Sequence, residues 1–198
     1  MKNSGFTFSE YKYDIPAAIV VFLVGFIWRV LDWAREALGN PSKPRQTISF
    51  LTDLNMAIHQ RIAYERRDEE GTQTPNETLE LGRGSCRDMA ELFVATSRQL
   101  GLAARFVSGY LYEPPHLDGT DAVNVAAGSM HAWAEVYLPG AGWRGFDPTN
   151  GLVTDHRFLP AAVANRPDWV SPIQGRYFHV GDVKSHMTVT LKVEGAAG

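Results

Sequence analysis

The stretch that decides the fold is residues 82–93, Gly-Arg-Gly-Ser-Cys-Arg-Asp-Met-Ala-Glu-Leu-Phe, which contains the only cysteine of the chain. Its two glycines mark a loop, and Ser85 followed three residues later by Asp88 is typical of a helix N-terminus with a capping box. Apolar residues then recur at helical spacing until Gly101. Cys86 is therefore predicted in the first helical turn, where free N–H groups and the helix dipole favour a thiolate. The alternative is a buried structural cysteine.

The composition is that of an ordinary globular protein, with 198 residues, 44% of them hydrophobic and 21% charged. This length is enough for one domain with an extension. The net charge of −3 offers no basic surface for nucleic acid, so no nucleic-acid partner is expected. A single cysteine allows no internal disulfide. If it is a nucleophile it must stay reduced, which predicts a cytoplasmic location.

An uncharged apolar run occupies residues 15–28 and is followed at once by Arg29 and Asp32. A membrane-spanning helix needs about 20 such residues. A signal peptide needs a basic leader and a small-residue cleavage site, whereas Glu10 and Asp14 precede this run. We therefore predict a buried helix over about 15–38, with membrane association or partner docking through residues 15–28 as the alternative.

The remaining pattern predicts helices first and strands afterwards, which indicates an α+β fold. Further helices are expected over about 47–64, 74–81 and 85–100. Strands are expected over 104–112, 130–138, 143–146, 176–180 and 187–193, with a hairpin turn around Gly140. Residues 148–173 contain four prolines and are expected to be mostly loop or short helix.

Two residues on the predicted hairpin could join Cys86. His131 lies on the strand over 130–138, whose opposite face is formed by alanine and valine and suits packing against the Cys86 helix. Asp147 ends the next strand, at about the height of His131. Singly, His131 would be an ordinary strand residue and Asp147 part of a turn. Together, a thiolate, an imidazole and a carboxylate supply the nucleophile, the base and the orienting group of thiol acyl transfer.

Four motifs in order along the chain carry a resemblance to a known family: Gly-Ser-Cys-Arg-Asp at 84–88, Ser-Gly-Tyr at 108–110, His-Ala-Trp-Ala-Glu-Val at 131–136 and Gly-Trp-Arg-Gly-Phe-Asp-Pro-Thr-Asn at 142–150. Over roughly residues 45–195 the chain resembles the bacterial transglutaminase-like (papain-like) cysteine protease family. The resemblance implies a nucleophile-bearing helix packed on an antiparallel sheet. It also implies Cys86 as nucleophile, His131 as base and Asp147 as its orienting partner. The corresponding domains are an N-terminal extension at 1–44 and a catalytic domain at 45–198.

The activity expected from this resemblance is acyl transfer on a peptide or protein amide through a thioester, without a cofactor. Water as acceptor gives a peptidase or amidase, and an amine as acceptor gives a transglutaminase. A non-catalytic binding module that retains the fold is a further alternative. Animal members of the family bind calcium, but the acidic loop at 116–121 lacks the number of ligands that a calcium site needs, so no metal is expected and hydrolysis is favoured.

The surroundings of the site are less determined by the sequence. The backbone N–H of Cys86 is expected to contribute to an oxyanion hole, with Gln60 and Tyr64 as candidates for the second donor. Glu135 shares a strand face with His131 and either supports it or is simply solvated. Two tryptophans, Trp133 and Trp143, either line the cleft or serve only in packing.

Overall fold

The computed structural model describes residues 29–39, 46–112 and 130–171, together with residues 178, 180–182 and 184. Residues 29–38 form helix α1. Three further helices follow: α2 (Thr47–Arg61), α3 (Pro75–Leu81) and α4 (Cys86–Gln99). The strands are β1 (Ala63–Tyr64), β2 (Arg83–Gly84), β3 (Ala104–Leu111), β4 (Met130–Leu138), β5 (Gly142–Asp147), β6 (Leu152–Val153) and β7 (Phe158–Ala164), and a 3₁₀ turn comprises Pro167–Val170.

Helix α4 begins where the sequence predicts. Asp88 Oδ2 accepts hydrogen bonds from the backbone N–H of Ser85 at 2.8 Å and from its hydroxyl at 2.7 Å. This contact satisfies an N–H group that would otherwise be unpaired at the helix start. Helix α3 begins in the same way, with a capping box between Thr74 and Glu77 and a proline in its first turn.

The core lies between α4 and one face of a five-stranded antiparallel sheet with the strand order β6-β5-β4-β3-β7. Ala134 and Val136 of β4 pack with Met89 and Phe93 of α4. Helix α2 adds a buried stripe to the same cluster, formed by Leu51, Leu54 and Ile58. The predicted α+β fold and the packing of the alanine–valine face on α4 are thus confirmed.

The predicted helix over 47–64 is too long, since α2 ends at Arg61 and the chain becomes extended at Ile62. The next two residues form β1, which pairs in parallel with β2 and places Tyr64 beside Gly84. Apolar spacing alone could not show this pairing, because its partner strand lies about 20 residues further along the chain.

The expectation that residues 148–173 are mostly loop or short helix misses strand β7, which pairs with β3 over its whole length. Pro160 suggested a break, but β7 is an edge strand, where a missing N–H is tolerated. The pairing is irregular at Gly109, opposite Pro160. A Cβ on Gly109 would lie 2.2 Å from the Leu159 carbonyl oxygen, so the close approach of the two strands requires glycine there.

Several sequence-based expectations lie outside the described residues. They concern the apolar run at 15–28, the acidic loop at 116–121, the strand at 187–193 and most of that at 176–180. Within the described ranges, no helix combines the length and the apolar character needed to cross a membrane.

Candidate active site

Cys86 is the first residue of α4, and its thiol is free and partly buried. It packs against a small apolar cluster contributed by α4, β3, β4 and the 3₁₀ turn, comprising Ala90, Phe106, Ala132 and Val170. A cleft of about 230 Å³ opens at this point and is lined by both Cys86 and His131. The thiol is therefore accessible to a small substrate group while its backbone is fixed by the helix start.

His131 and Asp147 form a buried pair. His131 Nε2 lies 2.9 Å from Asp147 Oδ2, and both side chains are fully buried. The register of β4 with β5, in which Ala134 lies opposite Phe146, makes Asp147 the diagonal neighbour of His131 across the hairpin. The proximity predicted from the hairpin is thus present.

The Asp147 carboxylate is oriented by the loop that follows it. Its Oδ1 accepts from the backbone N–H groups of Thr149 at 3.0 Å and Asn150 at 3.4 Å, and its Oδ2 accepts from the Asn150 side-chain amide at 2.7 Å. Helix α2 holds this loop in turn, because His59 Nδ1 lies 2.9 Å from the Thr149 carbonyl oxygen. The carboxylate therefore presents a fixed edge to His131.

The electrostatic environment favours the protonated imidazole. Burial lowers the pKa of His131, but close polar contacts with Asp147 and Cys86 and the negative charges of both groups outweigh it and raise that pKa to about 9. Because Asp147 faces Nε2, Nδ1 is the nitrogen available to the thiol. Neither ring nitrogen makes a well-aligned hydrogen bond within the described part of the chain. Such bonds commonly tighten only when substrate is bound.

Of the two candidate second oxyanion donors, Tyr64 is the one that the fold brings toward the nucleophile. The β1–β2 pairing places it opposite Gly84, two residues before Cys86. Partial burial and then the negative charge of Cys86 raise the pKa of the Tyr64 hydroxyl, while Arg66 opposes them. Gln60 lies in the last turn of α2 and, like Tyr64, is exposed at the surface, so exposure does not separate the two candidates.

The other surrounding residues have packing or surface roles. Glu135 pairs across the strands with Arg105, whose guanidinium lies 2.7 Å from Glu135 Oε2. Trp133 is buried in a cluster with Phe158. Trp143 is partly exposed and lies 4.0 Å beneath the Arg105 guanidinium. Within the described residues, no group of three His, Cys, Asp or Glu side chains is arranged to hold a metal ion.

Two residues that support the site were not predicted from the sequence. Asn150 orients Asp147, and the Asp-Pro-Thr-Asn pattern carried the signal, because an aspartate that accepts from the N–H two residues later forms an Asx turn. Arg67 contacts the buried Asp88 carboxylate. It lies in a run of mixed charge that reads as a solvated loop, and nothing local distinguishes it from its neighbours.

Comparison with known proteins agrees with this architecture. The sequence model of the Transglutaminase-like superfamily matches residues 32–148. Uncharacterized proteins of Mycobacterium tuberculosis and Mycobacterium bovis are 33% identical over 151 residues, which are 74% of this chain and 48% of each relative. The chain thus spans about half the length of these relatives. A solved structure of a proposed cysteine protease from Cytophaga hutchinsonii matches with a TM-score of 0.54 and 22% identity, over 78% of this chain and 51% of that one. Since the family model covers more than half of its residues, the chain belongs to the transglutaminase-like superfamily.

Proposed function

We propose that this chain is a cysteine-dependent acyl-transfer enzyme that acts on amide bonds through a thioester. One observation carries the proposal. The buried His131 ring contacts the Asp147 carboxylate at 2.9 Å, and its pKa responds to Cys86, which lines the same cleft. A thiol at a helix start, a histidine and an orienting carboxylate are the groups that thiol acyl transfer requires.

In the acylation half-reaction, the Cys86 thiolate attacks the amide carbonyl carbon and a C–S bond forms. The imidazolium of His131 donates its proton to the leaving nitrogen as the C–N bond breaks, and an amine departs. In the second half, the neutral imidazole removes a proton from the acceptor, which forms a bond to the thioester carbonyl carbon. The C–S bond breaks, the acyl product leaves, and the Cys86 thiolate and the His131 imidazolium are restored. Asp147 keeps the ring oriented and stabilises its charged form throughout.

The negative charge that develops on the carbonyl oxygen needs hydrogen-bond donors. The Cys86 backbone N–H at the start of α4 is one, because the first N–H groups of a helix have no partner within the helix. The Tyr64 hydroxyl is the second donor in this proposal. Its support is the position of Tyr64 opposite Gly84 and the raised pKa of its hydroxyl, caused by burial and then by the negative charge of Cys86.

Water is the acceptor in this proposal, which makes the enzyme a peptidase or amidase. The Cytophaga hutchinsonii structure, described as a proposed cysteine protease, is consistent with that choice. Transfer to an amine would use the same three residues, so transamidation is the alternative outcome of the test rather than a separate site.

The proposal is tested by incubating the protein with a mixed peptide pool and a fluorescent primary amine, followed by mass spectrometry. We expect new peptide termini or new carboxylates that depend on Cys86 and are absent with a folded Cys86→Ser variant. Incorporation of the amine would identify a transglutaminase instead. If neither product forms and Cys86 reacts with electrophiles no faster than a free thiol, the chain is not an acyl-transfer enzyme.

A further inference from the structure

A buried carboxylate lies in the same helical turn as the nucleophile and has no part in the chemistry above. Asp88 is two residues past Cys86 and is fully buried. One guanidinium nitrogen of Arg67 donates to both of its oxygens, at 2.7 and 2.8 Å. The backbone N–H of Gln73 donates to it at 2.7 Å, and Ser85 donates through its N–H and its hydroxyl. We call this set of contacts around Asp88 the Asp88 clamp.

The Asp88 clamp joins the first turn of α4 to a loop that is distant in sequence, residues 66–73. A neighbouring side chain reinforces the connection, because the Arg87 guanidinium donates to the carbonyl groups of Arg67 and Glu69. The end of this loop, residues 71–72, lines the same cleft as Cys86. One carboxylate therefore fixes both the helix turn that carries the thiol and a wall of the cleft.

The backbone that precedes Cys86 packs closely against the Asp88 clamp. A Cβ on Gly84 would lie 2.9 Å from the Asp88 Cβ and 3.1 Å from Gln73 Oε1. Only glycine allows the backbone to approach this closely. Gly84 is also the residue that pairs with Tyr64, so the clamp sets the position of β2 as well.

A capped helix start alone does not need this arrangement. Serine, threonine or asparagine caps a helix without burying a charge, and a buried ion pair is often no more stabilising than apolar residues of similar size. Burial raises the pKa of Asp88, but hydrogen bonds from Arg67, Ser85 and Gln73 outweigh it, so this carboxyl is ionised at neutral pH. The buried charge is therefore better explained by a requirement for a fixed geometry than by a contribution to stability.

We propose that Asp88 is a positioning residue for the nucleophile. The clamp holds the first turn of α4 so that the Cys86 thiol meets His131, and it holds residues 71–72, which line the same cleft. Asp88 itself touches neither substrate nor the reacting atoms. This inference rests on the proposed function, because it assumes that contact between Cys86 and His131 is what the clamp preserves.

The test is a double-mutant cycle on the rate of Cys86 alkylation by iodoacetamide at pH 6.5. His131→Ala is expected to slow alkylation at least about tenfold in the wild-type protein, and less than about threefold in an Asp88→Asn background. Asp88→Asn also removes a negative charge near the thiol. Both proteins compared within that background lack this charge, so its effect on the reactivity of the thiol cancels in the ratio of their rates. An undiminished effect of His131→Ala in the Asp88→Asn background would overturn the inference.

Two controls separate positioning from general destabilisation. Leu51→Ala removes a fully buried side chain of α2 that belongs to the core but is not part of the clamp, and it is expected to lower Tm while keeping the whole effect of His131→Ala. If Leu51→Ala also abolishes that effect, Asp88 has only a structural role. If Asp88→Asn does not fold, Arg67→Met is expected to weaken the effect, and Arg67→Lys, whose ammonium can approach both oxygens, to restore it.

The same experiment distinguishes failure of this inference from failure of the proposed function. If wild type and His131→Ala are alkylated at equal rates, the pairing of Cys86 with His131 is absent and the proposed function fails. If that difference is present but survives Asp88→Asn and Arg67→Met unchanged, only the role assigned to Asp88 is wrong.

Discussion

The buried pair of His131 and Asp147 is expected to make the stability of the folded chain depend on pH. The pKa of His131 is raised above its ordinary value of 6.5 to about 9 in the folded chain, so the folded state binds the proton more tightly than the unfolded state. The resulting stabilisation is complete below pH 6.5 and is lost as the pH rises through 9. A rise of that size corresponds to roughly 3 kcal/mol of folding free energy. No allowance for solvent screening is needed, because both side chains are fully buried.

The assay is urea unfolding at pH 6.0 and pH 9.5 for Cys86→Ser and for Cys86→Ser/His131→Gln. Serine replaces the thiol because ionisation of the thiol is coupled to His131 and would not cancel in the comparison. Glutamine has a similar volume to histidine and no charge, so the remaining titrating groups largely cancel between the two proteins. The stability advantage of His131 over glutamine is expected to be larger at pH 6.0 than at pH 9.5 by up to roughly 3 kcal/mol, since Asp147 remains but the contribution of Cys86 is lost. His156→Gln, at an exposed site, serves as the matched control and is expected to change stability by less than about 0.5 kcal/mol at either pH.

An advantage of His131 over glutamine that is the same at both pH values, or that grows toward pH 9.5, would refute this prediction. Either result would mean that Asp147 does not hold the ring in its charged form. The charge-stabilising role assigned to Asp147 would then have no thermodynamic basis.

Three further substitutions test other parts of the site. Asp147→Asn keeps the shape of the side chain but removes the charge that supports the imidazolium, and is expected to lower kcat by about 10³-fold or more with the fold intact by circular dichroism; a loss below tenfold would contradict its role. Tyr64→Phe is expected to lower kcat by about 10²-fold with little change in KM, and an unchanged kcat would exclude it as an oxyanion donor. Burial, aided by the charge of Asp168 and opposed by Arg98, raises the pKa of Glu91 to about 7, and its Oε2 has no hydrogen-bond partner among the described residues. Because the folded state holds this proton more tightly than the unfolded state, the wild-type chain loses stability as the pH rises from 4.5 to 7. Glu91→Gln is therefore expected to stabilise the chain by up to about 3 kcal/mol at pH 8 and by little at pH 4.5. Urea unfolding that shows an equal effect at both pH values would contradict this prediction.

The elements that carry the candidate triad were predictable because their signals are local. Ser85 and Asp88 lie within one helical turn of Cys86 and mark the start of α4. His131 and Asp147 lie on the two strands of a hairpin, whose short turn fixes which residues meet. Each of these relations spans few residues, so pattern and spacing were sufficient.

The remaining features depend on contacts between distant parts of the chain. Strand β7 pairs with β3 about 50 residues earlier, and its proline is acceptable only because the strand lies at the sheet edge. The contact between Arg67 and Asp88 joins a charged loop to a helix, and the position of Tyr64 depends on a two-residue parallel pairing with β2. Neither hydrophobic period nor turn chemistry encodes such contacts, because they follow from the assembled fold.

The pairing of Cys86 with His131 is probed most directly by the rate of Cys86 alkylation by iodoacetamide as a function of pH. At pH 6 we expect wild type to be alkylated at least about tenfold faster than His131→Ala, because the imidazolium beside the sulfur stabilises the reactive thiolate. Equal rates of the two proteins at pH 6 would contradict the account.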